Sequence, residues 1–321
     1  MTGVAAAARL YRLGADLGGR RLDQALAELL PEYSRNRLQQ WIDEGRILVD
    51  GKLRRRRDKV WGGEEVLLDP RVEPDGQCAP QDLPLDLVFE DEDILVIHKP
   101  AGLVVHPAAG NPDGTLQNAL LHHAPELASL PRGGLVHRLD KDTSGLLVVA
   151  RTLQAHKSLV EQLQERRVHR EYRALVGGVP SGGGRVDAPV GRHPRQRTRM
   201  AVVAGGRAAV THYRLLEAFR AHALLAVRLE TGRTHQIRVH MAHIQHPIVG
   251  DPVYGGRPHP PGGASARLVA GLRTFPRQAL HALRLGLQHP CSGVAMAWEI
   301  PLAADMEELL ALLREEGDGM D

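Results

Sequence analysis

Cysteine is nearly missing from this sequence: Cys78 and Cys291 are the only two among 321 residues. Their wide separation excludes a disulfide framework and offers no metal-ligand spacing, which fits a reducing cytoplasm. No apolar run approaches the length needed to cross a membrane. The alanine-rich start, Val4 to Ala8, lacks a basic leader followed by a sufficient apolar core, so it is not read as a signal peptide. Aromatic residues are scarce at 3%, whereas 43% hydrophobic and 25% charged residues are ordinary for a globular protein. A cytoplasmic monomer is expected, long enough for one large domain and a small one.

Charge is unevenly distributed behind a net value of +3. From Asp305 to Asp321 there are seven acids and one base, Arg314. The window 185–240 holds eleven arginines and three acids, Asp187, Glu217 and Glu230. A basic stretch of this kind suits a polyphosphate partner, because each neutralised phosphate releases counterions. An arginine-rich solvated surface would account for the charge equally well.

After an N-terminal extension (1–18), residues 19–69 read as a small module. Leu22, Ala25, Leu26, Leu29 and Leu30 recur at helical spacing, and Pro31 ends that helix. Ser34 is placed to cap a second helix with Leu38, Trp41 and Ile42 on its apolar face, stopped by Gly45. Ile47-Leu48-Val49 reads as a strand entering an Asp50-Gly51 turn. Arg54, Arg55, Arg56 and Arg57 follow; with Arg35 and Arg37 they are candidates for a phosphate-binding face. Residues 70–84, rich in Pro, Gly, Asp and Gln, read as a linker. The main domain, 85–304, alternates strands (85–89, 94–97, 146–150, 172–176, 210–216, 224–229) with helices at 115–123, 152–166 and 234–245. That pattern predicts an α+β domain around a mixed or antiparallel sheet. The acidic tail, 305–321, is expected to form an amphipathic helix with Met306, Leu309, Leu310 and Leu313 on one face.

The stretch from His137 to Gly145 sets Asp140 between Arg138 and Lys141, just before the apolar run Leu146 to Ala150. Nearby cations favour the ionised carboxylate, which can act as a nucleophile or a base. A charged turn capping a strand is the commoner fate of such an aspartate, but four other segments alter the balance. These are His98-Lys99-Pro100 through Pro107, Arg170-Glu171-Tyr172, Thr231-Gly232-Arg233-Thr234-His235-Gln236-Ile237-Arg238-Val239-His240, and Gln278 to Ala282. In this order, the set resembles the RluA family of pseudouridine synthases. The module ahead of it resembles the S4 RNA-binding domain at Arg21-Leu22-Asp23, Ser34-Arg35, Trp41 to Gly51, and Gly62-Gly63-Glu64. His98 is a departure, since family members commonly carry Asn there.

The resemblance implies an RNA uridine isomerase that detaches, rotates and reattaches the base, needing no metal, redox cofactor or nucleotide energy source. It implies that Asp140 is the catalytic carboxylate, Arg238 its basic partner and Tyr172 the aromatic residue facing the uracil. Arg138 would fill the space left by the extruded base. Ile237 and Leu280 are expected as apolar walls, and Thr234 as a cap on the helix carrying Arg238. Residues 110–114 and 248–256 are most similar to family members acting on 23S ribosomal RNA at the helix 69 stem-loop. The expected partner is therefore that RNA or the assembling large ribosomal subunit. Arg192, Arg195, Arg197 and Arg199, in an Arg- and Gly-rich insertion, are candidates for RNA discrimination.

Three other readings compete for these residues. A kinase is echoed by His137-Arg138-Leu139-Asp140, but no Gly-rich loop or Asp-Phe-Gly accompanies it. A metal hydrolase using His235, His240, His243 and His246 lacks a carboxylate at metal-site spacing. A non-catalytic RNA-binding or ribosome-assembly factor on the same fold is the third, and the intact Asp140, Tyr172 and Arg238 argue against it.

Overall fold

A computed structural model describes residues 8–30, 33, 35–69, 78–108 and 110–318. Pro31 as a helix stop, Ser34 as a cap and residues 70–77 of the linker lie outside the described residues, as does the side chain of Arg37. The chain divides into two compact units, 1–77 and 78–321.

The first unit contains β1 (Arg9–Arg12), α1 (Leu22–Leu29), α2 (Arg35–Asp43), β2 (Ile47–Val49), β3 (Lys52–Leu53) and β4 (Glu65–Leu68). Its antiparallel sheet has the order β1-β4-β2-β3. Strand alternation buries Val66 and Leu68 of β4, together with Ile47 and Val49 of β2, against Leu22, Leu26, Leu38 and Ile42 of the helices. Asp50 and Gly51 both have positive φ, 50° and 71°, which lets a two-residue turn follow the twist of β2 and β3. β1 lies in the stretch read as an extension and pairs with β4 from Arg9 to Arg12, so that stretch contributes an edge strand.

The second unit is built from β5 (Leu87–Glu90), β6 (Ile94–Lys99), α3 (Leu116–His123), β7 (Ser144–Ala150), α4 (Leu153–Gln164), β8 (His169–Gly177), β9 (Gly184–Asp187), β10 (Val190–Arg192), β11 (Met200–Val202), β12 (Val210–Ala218), β13 (His222–Leu229), α5 (Gln236–His243), α6 (Ala266–Thr274), β14 (Leu280–Gln288), β15 (Ala295–Glu299) and α7 (Ala304–Asp318). Nine strands make one mixed sheet, ordered β5-β6-β7-β14-β8-β13-β12-β9 with β15 on β14, and β10–β11 form a separate hairpin. This is an α+β fold. Every residue of β7 is buried, with Leu147 and Val149 on one core and Leu146, Val148 and Ala150 on the other. A strand covered on both faces reads as a continuous apolar run.

β14 runs along β8 on one edge and divides its other edge between two strands. It meets β7 in parallel at His281–Ser144 and Ala282–Gly145, then β15 over Arg284 to Gln288. Gly145 has φ 119°, and a Cβ there would lie 2.3 Å from the Ala282 carbonyl oxygen. Only glycine accepts that backbone and that closeness. The acidic tail is not a free appendage: Met306, Leu309, Leu310 and Leu313 of α7 are buried in the larger core. Its Arg314 forms a two-point ion pair with Glu217 of β12. No described helix is long and apolar enough to cross a membrane.

Candidate active site

Asp140 sits at the loop that feeds β7, and the loop is fixed from several sides. Leu139 is buried in the core, and the Thr143 amide donates to the Asp140 carbonyl at 3.1 Å. His137 Nε2 accepts the Val148 amide at 3.1 Å; its burial, and then the charge of Arg170, push the imidazole down to about 3. Lys99, at the end of β6 and fully buried, donates to the carbonyls of Pro100, Leu103 and Lys141 at 2.6, 3.0 and 2.8 Å. Burial pushes its ammonium from 10.5 to about 7; Asp142 and Asp140 oppose that shift, and Arg277 adds to it. Ahead of β14, Gln278 donates to Thr143 Oγ1 at 3.1 Å, and on the strand His281 Nδ1 lies 2.8 Å from Ser144 Oγ. Just upstream, Arg277 donates to the Asp142 carbonyl at 3.3 Å and forms a paired bridge to Asp305 of α7 at 2.6 Å.

The carboxylate meets Arg238, carried on α5 with 6% of its side chain exposed. Arg238 Nη1 donates to Asp140 Oδ2 at 3.0 Å. Its Nε and Nη2 donate to Asp251 at 2.6 and 2.9 Å, a two-point clamp of fixed geometry. Burial alone would lower the guanidinium pKa, but the bonds and charge of Asp251, then of Asp140, leave it raised. Asp251 also accepts the amides of Val253 and Tyr254 at 2.8 and 3.0 Å. Burial would raise the Asp251 carboxyl, and Arg238 followed by these amides overcomes it and holds the group below its ordinary value. The Tyr254 ring lies under the guanidinium at 5.1 Å. Asp140 itself keeps 17% of its side chain exposed, and among the described residues its Oδ1 has no hydrogen-bond partner.

Tyr172 is buried on β8, opposite Ala282 of β14 and Val227 of β13. Burial raises its phenol and the Asp140 charge raises it further, while Arg170 opposes. Ile237 and Leu280, each 4% exposed, belong to the same core as Tyr172. Arg138 is exposed next to Asp140.

The expected Thr234 cap does not form. His235 takes the N-cap of α5 with φ 56°, in the left-handed region, and no side chain caps the helix. Histidine is among the few residues enriched there. Of the other histidines weighed as metal ligands, His240 is bonded to Thr211 and the Ala188 carbonyl, and His246 to the Gly177 carbonyl.

Among the RNA-binding candidates, Arg192, Arg195 and Arg197 are exposed on the β10–β11 hairpin, Arg199 is half-buried, and Arg192 also donates to the Arg197 carbonyl at 3.1 Å. In the first unit Arg35 is not a free surface cation, since it donates to Asp23 at 2.7 Å. Arg56 pairs with Asp43 at 3.0 Å, Arg55 and Arg57 are exposed, Arg54 is half-buried, and Arg37 lies on α2. Sequence reasoning missed Asp251, Tyr254, His235 and Lys99 as parts of the site. Asp251 and Tyr254 stand in the 248–256 segment, but only the fold brings that segment against α5.

Comparison with known proteins bears on what this arrangement is for. The RNA pseudouridylate synthase family matches residues 93–243, and the S4 domain matches residues 20–66. Ribosomal large subunit pseudouridine synthase D of Escherichia coli (strain K12) is 58% identical over 299 residues, covering 93% of this chain and 92% of the relative. The protein of the same name from Pseudomonas aeruginosa is 60% identical over 301 residues, covering 94% of each. The solved structure of human RNA pseudouridylate synthase domain containing 4 superimposes with a TM-score of 0.57 at 26% identity, covering 71% of this chain and 93% of that one. Identity at this level, maintained through both units, assigns the chain to one family: it belongs to the RNA pseudouridylate synthases of RluA type, enzymes that isomerise uridine in RNA.

Proposed function

We propose that this enzyme converts uridines of 23S ribosomal RNA, those of the helix 69 stem-loop, to pseudouridine, using Asp140, Arg238 and Tyr172. The observation that carries the assignment of roles is the Asp140 carboxylate itself, with Oδ2 held by Arg238 at 3.0 Å and Oδ1 unbonded among the described residues. A target uridine leaves its stack, and the exposed Arg138 takes the vacated place, offsetting part of the unstacking cost. Asp140 acts on the ribose through Oδ1 as the bond between C1′ and N1 breaks. The freed uracil rotates between Tyr172, Ile237 and Leu280, C1′ joins C5, N1 gains a proton and C5 loses one. The phenol of Tyr172 is raised by burial, so it remains protonated; this favours stacking on the uracil over acting as a phenolate base.

RNA gripping is assigned to residues 19–69, through Arg35, Arg37 and Arg54 to Arg57, with the 192–199 arginines of the hairpin contributing to target choice. Chemistry is assigned to residues 85–304, braced by the helix of the 305–321 segment. In this reading the enzyme acts in the cytoplasm as a monomer, on the free RNA or the assembling large subunit. The large-subunit substrate is favoured by the two bacterial relatives' names. Mapping pseudouridines in ribosomal RNA from cells with and without the protein tests it: loss confined to helix 69 is expected, and an unchanged 23S map would overturn the assignment. Binding should weaken steeply between low and physiological salt, as phosphate contacts require.

A further inference from the structure

Tyr254 carries one hydroxyl proton, and its surroundings decide where that proton goes. Its oxygen accepts the backbone N–H of Met200 at 2.9 Å and lies 2.9 Å from His235 Nδ1. The amide can only donate, which leaves the phenol proton free to turn to the imidazole; turned so, it makes Nδ1 the accepting nitrogen. In that arrangement the hydrogen of the neutral ring resides on Nε2. That nitrogen faces the nucleophile: it is 4.0 Å from Asp140 Oδ1, the oxygen that Arg238 does not hold. The separation is too long for a hydrogen bond in the resting enzyme, and such contacts tighten when substrate is bound. The left-handed backbone at His235 fixes the direction in which the ring leaves the chain.

We infer that His235 is a positioning residue for this reaction, held by Tyr254 in its Nε2–H form so that it steers the free oxygen of Asp140 toward the ribose. Met200 belongs to β11, so the tautomer is set from the hairpin that also carries Arg192, Arg195, Arg197 and Arg199. The charged and titratable groups around the ring are Asp140, Arg238, Asp251, Arg138 and Tyr254. Burial is the largest influence and holds the ring neutral at pH 7; the two aspartates oppose it and the two arginines reinforce it.

The inference rests on the Asp140 assignment, and its test separates the two. Nitrogen-15 NMR of the full-length protein, with His235 identified by subtracting the H235N spectrum, should show the Nε2–H tautomer between pH 6 and 8. In Y254F that preference should vanish and the ring should titrate at higher pH. A wild-type ring protonated on Nδ1 would overturn the inference. In single-turnover pseudouridine formation at saturating enzyme, H235N should be slower by about 10- to 100-fold, the scale of a misplaced reacting group, with RNA Kd unchanged. Asn tolerates the left-handed backbone at this position. Y254F should lose less rate and gain an acidic limb, rising from pH 5.5 to 7. Wild-type rates and pH profiles in both variants would overturn the proposal. If H235N does not fold, the pH limb of Y254F decides it. Turnover by D140N would instead sink the Asp140 assignment, while the tautomer measurement would still report on Tyr254 and His235.

Discussion

Asp23 in the first unit and Asp140 in the second both sit among arginines, yet their oxygens are used very differently. The Asp23 side chain is fully buried; Arg21 donates to both oxygens at 3.0 and 3.1 Å, and Arg35 and Gln39 donate to Oδ2 at 2.7 and 2.6 Å. Burial would raise its carboxyl, and the donors from Arg35, Arg21 and Gln39 overcome that to hold it low. Asp140 has one such bond, from Arg238, and a reachable side chain. Asp251 shares Arg238 with Asp140 but accepts four donors, so it behaves like Asp23. A saturated carboxylate ties chain segments together, and one with a spare oxygen can react. What separates a brace from a carboxylate free to react here is unused bonding capacity.

The sharpest way to break this contrast is Asp140→Asn, which keeps the shape and removes the charge. Pseudouridine formation should fall by more than about 10³-fold, as for other enzymes stripped of a catalytic group, with RNA binding retained. Filter binding and single-turnover assays on the same preparations check both halves. Next in size is Asp251→Asn, which leaves Arg238 clamped on one side only. A guanidinium released to swing by an ångström should cost on the order of 10²-fold in rate with Kd unchanged. An effect on Kd alone would mean that Asp251 does not brace the site.

For Asp23→Asn the loss should fall on stability. Removing charge-assisted bonds from a buried carboxylate should lower the unfolding free energy of the first unit by about 2 kcal/mol, read from denaturant unfolding of the full chain. The smallest effect concerns Lys99, whose folded value of about 7 lies below its ordinary 10.5. Between those limits the unfolded chain binds more protons than the folded one, so this group's contribution to stability rises with pH there and is flat below 7. The gap in unfolding free energy between wild type and Lys99→Met should shift in favour of wild type from pH 7 to 8, by at most about 1.4 kcal/mol. A gap that does not move with pH would place the ammonium in an environment no drier than the surface.

Asp140, Tyr172 and Arg238 became candidates because each stands in a long motif that resembles the family's, and the fold brings Arg238 to Asp140. The β7 run announced itself by unbroken apolarity, and the tail helix by Met306, Leu309, Leu310 and Leu313 on one face. Asp251 was not legible as a brace, because its partnership with Arg238 depends on the turn at 251–254 folding back on α5. The short strands β9 to β11 escaped notice because glycine and arginine dilute the alternation that marks a strand. Thr234 was expected to cap α5, and local pattern could not foresee that His235 would take the left-handed position instead. The bond from Arg35 to Asp23 was not legible, because nothing in the sequence joins residues twelve positions apart.

The missing side chain at Gly145 has a consequence for how this enzyme can vary. Alanine there would drive its methyl into the Ala282 carbonyl and prise β7 from β14 at their two-residue parallel seam. Five residues upstream, Asp140 would swing with the parted strand away from Arg238. A single added carbon atom would thus silence the enzyme by unzipping the surface on which its chemistry is mounted.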